Sequence, residues 1–178
     1  MSVLCRIGSG WQSDTCWGKG MSSHLLRTKD VVDECEEHLR ESGAFGTAIE
    51  AYLSEHVAII LCADVQQAVY ALAERRVGSL EDEAVKHYVS TSSRRILRSV
   101  KKNDVATFVG MFGTEVKDAL NSGVDEATVT IYNNAVQARH NIAHWHGARI
   151  TFSELKNALA AAQDILDAIE SALAEPSP

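Results

Sequence analysis

The chain has 178 residues, of which 46% are hydrophobic and 23% charged, a composition that favours one folded domain over a disordered chain. No run of about 18 consecutive apolar residues occurs, which argues against a transmembrane helix and predicts no membrane association. Seventeen basic and 24 acidic residues give a net charge of −7. This charge argues against nucleic-acid binding through a broad basic surface, but it leaves room for a small cationic site.

The N-terminal segment differs in composition from the rest of the chain. Residues 1–20 are rich in Gly, Ser, Trp and Cys and contain no apolar signal-peptide core, so they predict a flexible tail and residues 21–178 a single helical domain. None of the four cysteines forms a CxxC pair, which argues against a zinc ribbon or a thioredoxin-type site. We therefore expect a cytoplasmic protein with free thiols.

Helical periodicity begins after this tail. Apolar residues at three- and four-residue spacing predict a first helix over residues 23–41 and a second over residues 47–76, ended by Gly43 and Gly78 respectively. The two prolines, Pro176 and Pro178, are at the extreme C-terminus, so proline interrupts none of these segments.

The middle of the chain predicts shorter helices. Ser79 is a candidate cap for a helix that the polar run at residues 90–93 should break. Asn103 or Asp104 should cap the next short helix, residues 121–123 should form a turn, and Asp125 should cap the helix that follows.

The last helix has the clearest start signal. Thr151 and Glu154 have capping-box spacing, which predicts a helix that runs to about Ala174. No period-two pattern indicates a sheet. The sequence therefore predicts an all-α bundle of four or five main helices.

The chemically informative segment covers residues 137–147, QARHNIAHWHG. Three of the seven histidines lie here, together with Arg139, and Arg149 follows closely. Histidine transfers protons near neutral pH, and arginine presents a permanently charged fork that matches phosphate oxygens. This combination is sufficient for metal-free RNA cleavage, in which the ribose 2′-hydroxyl attacks the neighbouring phosphorus.

The six residues from Arg139 to His144, RHNIAH, resemble the Arg-x4-His signature of the HEPN superfamily. Gly147, Thr151 and the long helix before the motif also resemble HEPN chains, and the likeness covers about residues 24–174. Among HEPN proteins the chain is most similar to the RiboL-PSP type of prokaryotic domain.

The resemblance implies a two-fold symmetric homodimer with a composite site, acting as a metal-independent endoribonuclease without cofactors. Such proteins act as toxins or in anti-phage defence, often beside an antitoxin or a partner from a neighbouring gene. By position, Arg139 would stabilise the scissile phosphate and His144 would be the acid or base. His140, where many relatives carry Asn or Asp, would orient groups or contact RNA, and Asn141 would support them by hydrogen bonding.

Further polar residues enter the hypothesis by proximity or charge. His146 and Arg149 are supporting candidates because they are close to the motif in sequence. A second basic cluster is either a solvated helix face or a binding surface for the RNA backbone. It contains Arg94, Arg95, Arg98, Lys101 and Lys102.

Other interpretations of the motif remain open at this stage. Arg139 could be a surface arginine paired with a carboxylate, and the four-residue spacing of His140 and His144 could bind zinc from one helix face. No glutamate follows His140, so the HExxH protease pattern is absent. A different class of function is a catalytically silent HEPN-fold module that binds RNA or a partner protein.

Overall fold

The computed structural model describes residues 23–78, 80–143 and 150–174, and its regular structure over these ranges is helical throughout. The predicted all-α class is confirmed. Two short 3₁₀ turns, Ser23–Leu25 and Gly110–Phe112, accompany the α-helices. The described α-helices are α1 Leu26–Ser42, α2 Ala48–Val77, α3 Glu83–Ile96, α4 Lys102–Val109, α5 Thr114–Ser122, α6 Glu126–Ala143 and α7 Phe152–Leu173. Four or five main helices and one short helix after residue 103 or 104 were predicted, and that region forms two short helices, α4 and α5.

Helix α2 is at the centre of the bundle and packs against α1, α3, α6 and α7. Its 30 residues carry apolar side chains at helical spacing, and Val57, Leu61, Val65 and Val69 are almost completely buried. Helix α7 supplies a second apolar face, which packs on α2, α5 and α6. Burial of these two faces is the main favourable contribution to folding.

By length and composition alone, α2 could also cross a membrane, and among the described helices it alone meets that test. The most apolar 18-residue window of α2 is 61% buried inside the bundle. Its hydrophobic character is accounted for by its central position, as expected for the core helix of a helical bundle.

The start and the continuity of α3 differ from the prediction, and Ser79, the candidate cap, lies outside the described residues. Asp82 caps the helix, because its Oδ1 accepts hydrogen bonds from the amides of Ala84 and Val85 at 2.8 and 3.2 Å. The predicted break at residues 90–93 is wrong, and α3 continues through them. The Ser93 hydroxyl donates to the Val89 carbonyl at 2.7 Å and the Ser90 hydroxyl donates to Glu74 of α2 at 2.8 Å, so both serines have partners inside a helix.

Two further boundary predictions are also wrong. Helix α4 begins at Lys102 without a side-chain cap, and the Lys102 amide donates instead to Oδ1 of Asn133 in α6 at 3.1 Å. The cap is therefore supplied by a distant helix, which local sequence does not show. Asn121 and Ser122 belong to α5, so of the three residues of the predicted turn only Gly123 lies after the helix.

The predicted starts of the last two helices are confirmed. The Asp125 carboxylate accepts from the Thr128 amide at 2.9 Å. The capping box of α7 is complete: the Thr151 hydroxyl accepts from the Glu154 amide at 3.2 Å, and Glu154 accepts from the Thr151 amide at 2.9 Å.

A carboxylate from α2 links the first turns of α2 and α7. Glu50 accepts from the Gly46 amide at 2.6 Å and from the Phe152 amide at 3.0 Å, and these backbone hydrogen bonds lower its pKa. The start of α7 is thereby held against α2. The predicted tail at residues 1–20 lies outside the described residues and stays a prediction, and Gly147 of the HEPN resemblance lies outside them as well.

Candidate functional site

A groove of about 510 Å³ lies between α2, the segment that joins α3 to α4, and α6. We call it the cationic groove, defined by Arg98, Lys101, Arg139 and His140, which all line it. Its α2 wall is formed by Ile59, Cys62, Ala63 and Gln66. The structure therefore brings together part of the Arg-His segment and part of the second basic cluster, which are about 40 residues apart in sequence.

Three permanent cations of this groove have no carboxylate partner among the described residues. Arg98, Lys101 and Arg139 are absent from every ion pair found there, although Asp104 also lines the groove. Elsewhere cations are neutralised locally: Arg75 pairs with Glu170 at 2.7 Å. In the described part of the chain, the paired-arginine interpretation of Arg139 is therefore not supported.

The Arg139 guanidinium acts electrostatically on the α2 wall of the groove. Burial raises the pKa of the Cys62 thiol to about 11, and the positive charge of Arg139 opposes that rise. The thiol is consequently protonated at neutral pH and does not neutralise Arg139. Arg139 and His140 are both exposed, so an anion could reach them from solvent.

Residues 97–101, which carry Arg98 and Lys101, are held in place by side chains of two helices. The Leu97 carbonyl accepts from Gln66 Nε2 at 3.0 Å and from the Tyr70 hydroxyl at 3.2 Å, both in α2. From α6, the Tyr132 hydroxyl donates to the Val100 carbonyl at 2.6 Å. The side chains of Leu97 and Val100 are buried, whereas those of Arg98 and Lys101 line the groove.

A hydrogen-bonded chain of side chains extends from the groove over α6. Lys101 Nζ donates to Gln137 Oε1 at 2.8 Å, and Gln137 Nε2 donates to Asn141 Oδ1 at 2.9 Å. Asn141 does not line the cationic groove but a second cavity, between α6 and α7. Gln137 lines both.

The predicted backbone-binding cluster is divided by the structure. Arg98 lines the groove, whereas the Arg94 guanidinium lies 5.7 Å from the centre of the Tyr70 ring and 3.6 Å from Glu74. Arg95 is exposed but does not line the groove. Lys102 points into the bundle, where it hydrogen-bonds the Asn121 side chain and where burial lowers its pKa.

Three of the predicted site residues, His144, His146 and Arg149, lie outside the described residues. Their proposed roles, and the zinc alternative that depends on His144, therefore stay predictions. Within the described ranges, no group of three or more His, Cys, Asp or Glu side chains is arranged to hold a metal ion.

An exposed stripe on α2, apolar except for one histidine, leads to the groove. We call it the α2 seam, and it consists of Ile49, Tyr52, His56, Ile59 and Ala63, all of which are exposed. Their alternating three- and four-residue spacing is the heptad pattern with which one helix packs along another. Ile59 and Ala63 also line the cationic groove, so the seam and the groove adjoin.

No protein-family model, no curated protein and no solved structure matches this chain. The function of the chain is therefore inferred from the residues of the groove and from the motif resemblance.

The anchoring of residues 97–101 can be tested with Tyr132→Phe. Loss of the hydroxyl leaves the buried Val100 carbonyl without this donor, so we expect the free energy of unfolding to fall by about 1–2 kcal/mol. Faster hydrogen exchange should be confined to the neighbourhood of this segment. Urea unfolding and hydrogen-exchange mass spectrometry measure the two effects. The control is Tyr88→Phe, at an exposed position of α3, and equal stability of the two variants would contradict the anchoring role.

Proposed function

We propose that the protein is a metal-independent endoribonuclease that binds the scissile phosphate of RNA in the cationic groove. The observation that carries the proposal is the grouping of Arg98, Lys101 and Arg139 in one groove of a chain of net charge −7. Among the described residues these three cations have no carboxylate partner, and His140 lies beside them. A phosphodiester supplies the negative charge that such a groove favours.

The reaction needs one base, one acid and a cation. The base removes the proton of the ribose 2′-hydroxyl while a bond forms between the 2′-oxygen and phosphorus. The bond between phosphorus and the 5′-oxygen then breaks, and the acid protonates that oxygen. The products are a 2′,3′-cyclic phosphate and a 5′-hydroxyl. A positively charged group near the phosphorus stabilises the phosphorane-like transition state.

In this proposal the roles are assigned as follows. Arg139 contacts the scissile phosphate, and His144 serves as acid or base, as the HEPN resemblance implies. His140 orients the reacting groups or contacts RNA. Arg98 and Lys101 hold flanking phosphates, and Arg94 and Arg95, in the last turn of α3, are further candidates for backbone contacts outside the groove. Asn141, His146 and Arg149 are supporting groups in this proposal.

The active form in this proposal is a homodimer that pairs through the α2 seam. Exposed apolar side chains at heptad spacing are suited to packing against the same seam of a second copy. Because the seam adjoins the groove, such pairing would bring two cationic grooves close together. A cytoplasmic toxin or anti-phage effector with this architecture would require restraint by an antitoxin or a neighbouring-gene partner.

The α2 seam also favours a second candidate function, because an exposed apolar face suits a partner protein equally well. In this alternative the protein is a non-catalytic HEPN-fold module that binds RNA or protein. Expression of the chain alone discriminates between the two: growth arrest that depends on Arg139 and His144 supports the nuclease, and unaffected growth supports the module.

RNA cleavage tests the nuclease proposal directly. Purified protein should cleave RNA in the presence of EDTA and leave 2′,3′-cyclic phosphate ends. Arg139→Ala should lower the rate about a hundredfold or more, because it removes the cation that stabilises the transition state. His144→Ala should abolish cleavage. Gel analysis of end-labelled RNA, with mass spectrometry of the ends, gives the result.

The matched control is Arg40→Ala, which removes an exposed arginine of α1 that does not line the cationic groove. This variant should retain the wild-type rate. Full activity of Arg139→Ala or His144→Ala, with an unchanged unfolding curve, would show that the site is elsewhere.

The oligomeric interface makes a separate prediction. Tyr52 is 66% exposed on the α2 seam, so Tyr52→Glu should leave the fold intact but place two carboxylates at a paired interface. We expect the dimer dissociation constant to rise at least tenfold, as measured by analytical ultracentrifugation. Tyr88→Glu, at a residue of α3 that is 71% exposed, is the control and should dimerise as the wild type does. A monomeric wild-type protein, or equal dimerisation of both variants, would contradict the seam as the interface.

A further inference from the structure

We propose that a second cavity beside the motif helix is a nucleobase pocket that prefers adenine, an inference that rests on the proposed RNA substrate. This cavity, of about 420 Å³, lies between α6 and α7. We call it the amide pocket, because four carboxamide side chains line it: Asn134, Gln137, Asn141 and Asn157. Its size is within the roughly 300–1,000 Å³ typical of ligand sites.

The spacing of the amides places them on one side of α6. Asn134 and Asn141 are seven residues apart, or about two helical turns, with Gln137 between them. Arg139 and His140 lie on the other side of the same helix and line the cationic groove. Helix α6 thus separates a site rich in cations from a site rich in amides.

The chemistry of the amide pocket suits a base rather than a phosphate. Each carboxamide offers a donor and an acceptor side by side, which complements the N6 amino group and N7 of adenine. Guanine is read most often by Arg or Lys, and the described residues that line this pocket include neither. Unpaired bases of single-stranded RNA expose the edges that such side chains read.

The pocket also offers apolar surface for the faces of a base. Ile131, which is 40% exposed, and Ile150 contribute branched side chains, and Ala135 and Ala138 line the pocket from α6. Aliphatic walls of this kind exclude water. The polar side chains of the pocket are the four amides and the Glu154 carboxylate, and one Glu154 oxygen already accepts from Thr151 in the α7 capping box.

Two of the amides are available for a ligand. Asn134 and Asn157 are exposed, and neither forms a side-chain hydrogen bond to another described residue. Gln137 and Asn141 bond each other and connect to Lys101 of the cationic groove. The cationic groove and the amide pocket therefore meet at Gln137, so one RNA strand could use both sites.

Binding of non-cleavable RNA tests this pocket independently of catalysis. Fluorescence anisotropy would measure dissociation constants for 2′-O-methyl decamers of adenosine, cytidine and uridine. Wild-type protein should bind the adenosine decamer roughly tenfold more tightly than the others, the discrimination expected of one bidentate amide–base contact. In the double variant Asn134→Leu/Asn157→Leu, this preference should disappear while binding of the cytidine and uridine decamers is unchanged.

Arg98→Ala is the matched backbone variant, and it should weaken binding of all three decamers by the same factor. Asn134→Asp, which replaces the amide donor with an acceptor, serves as a second variant if the leucine pair unfolds. Equal affinity of the wild type for the three decamers, or an adenosine preference that survives the amide substitutions, overturns the nucleobase pocket and leaves the nuclease proposal standing. Absence of binding to every decamer overturns both.

Discussion

The candidate site depends on the hydrogen bonds that fix residues 97–101 between two helices. Leu97 and Val100 are buried, so their carbonyl groups need donors inside the protein. Gln66 and Tyr70 satisfy the first carbonyl from α2, and Tyr132 satisfies the second from α6. Because the segment is held at both points, its basic side chains are presented to the groove at a defined position opposite α6.

This arrangement concentrates positive charge in a protein that is acidic as a whole. Several surface cations are neutralised by nearby carboxylates, as in the pairs formed by Arg27, Arg94 and Lys156. Arg98, Lys101 and Arg139 have no such partner among the described residues, so a small region can attract a phosphate although the net charge is −7. The proposed RNA contact is accordingly local, with one phosphodiester held in the groove and weak contacts at its flanks.

The features that depend on local chemistry could be predicted from the sequence. The all-α class, the long central helix and the capping box of α7 each follow from periodicity or from residues three apart. Helix boundaries that depend on a residue distant in sequence could not be predicted. The serines of α3 are stabilised partly by Glu74 of α2, and the start of α4 is stabilised by Asn133 of α6. The proximity of Arg98 to Arg139, and the shared role of Gln137, likewise arise from packing between helices and leave no local signal.

The salt dependence of RNA affinity tests the central claim, that the cationic groove binds the RNA backbone. For single-stranded RNA the logarithm of the binding constant falls with the logarithm of salt concentration by about 0.7 per phosphate contact. With 2′-O-methyl RNA, we predict a wild-type slope of about −2, for three contacts, and a reduction of about 0.7 in magnitude for Arg98→Ala and for Arg139→Ala. Arg40→Ala should leave the slope unchanged. A wild-type slope near zero, or one that neither groove variant alters, would contradict the account.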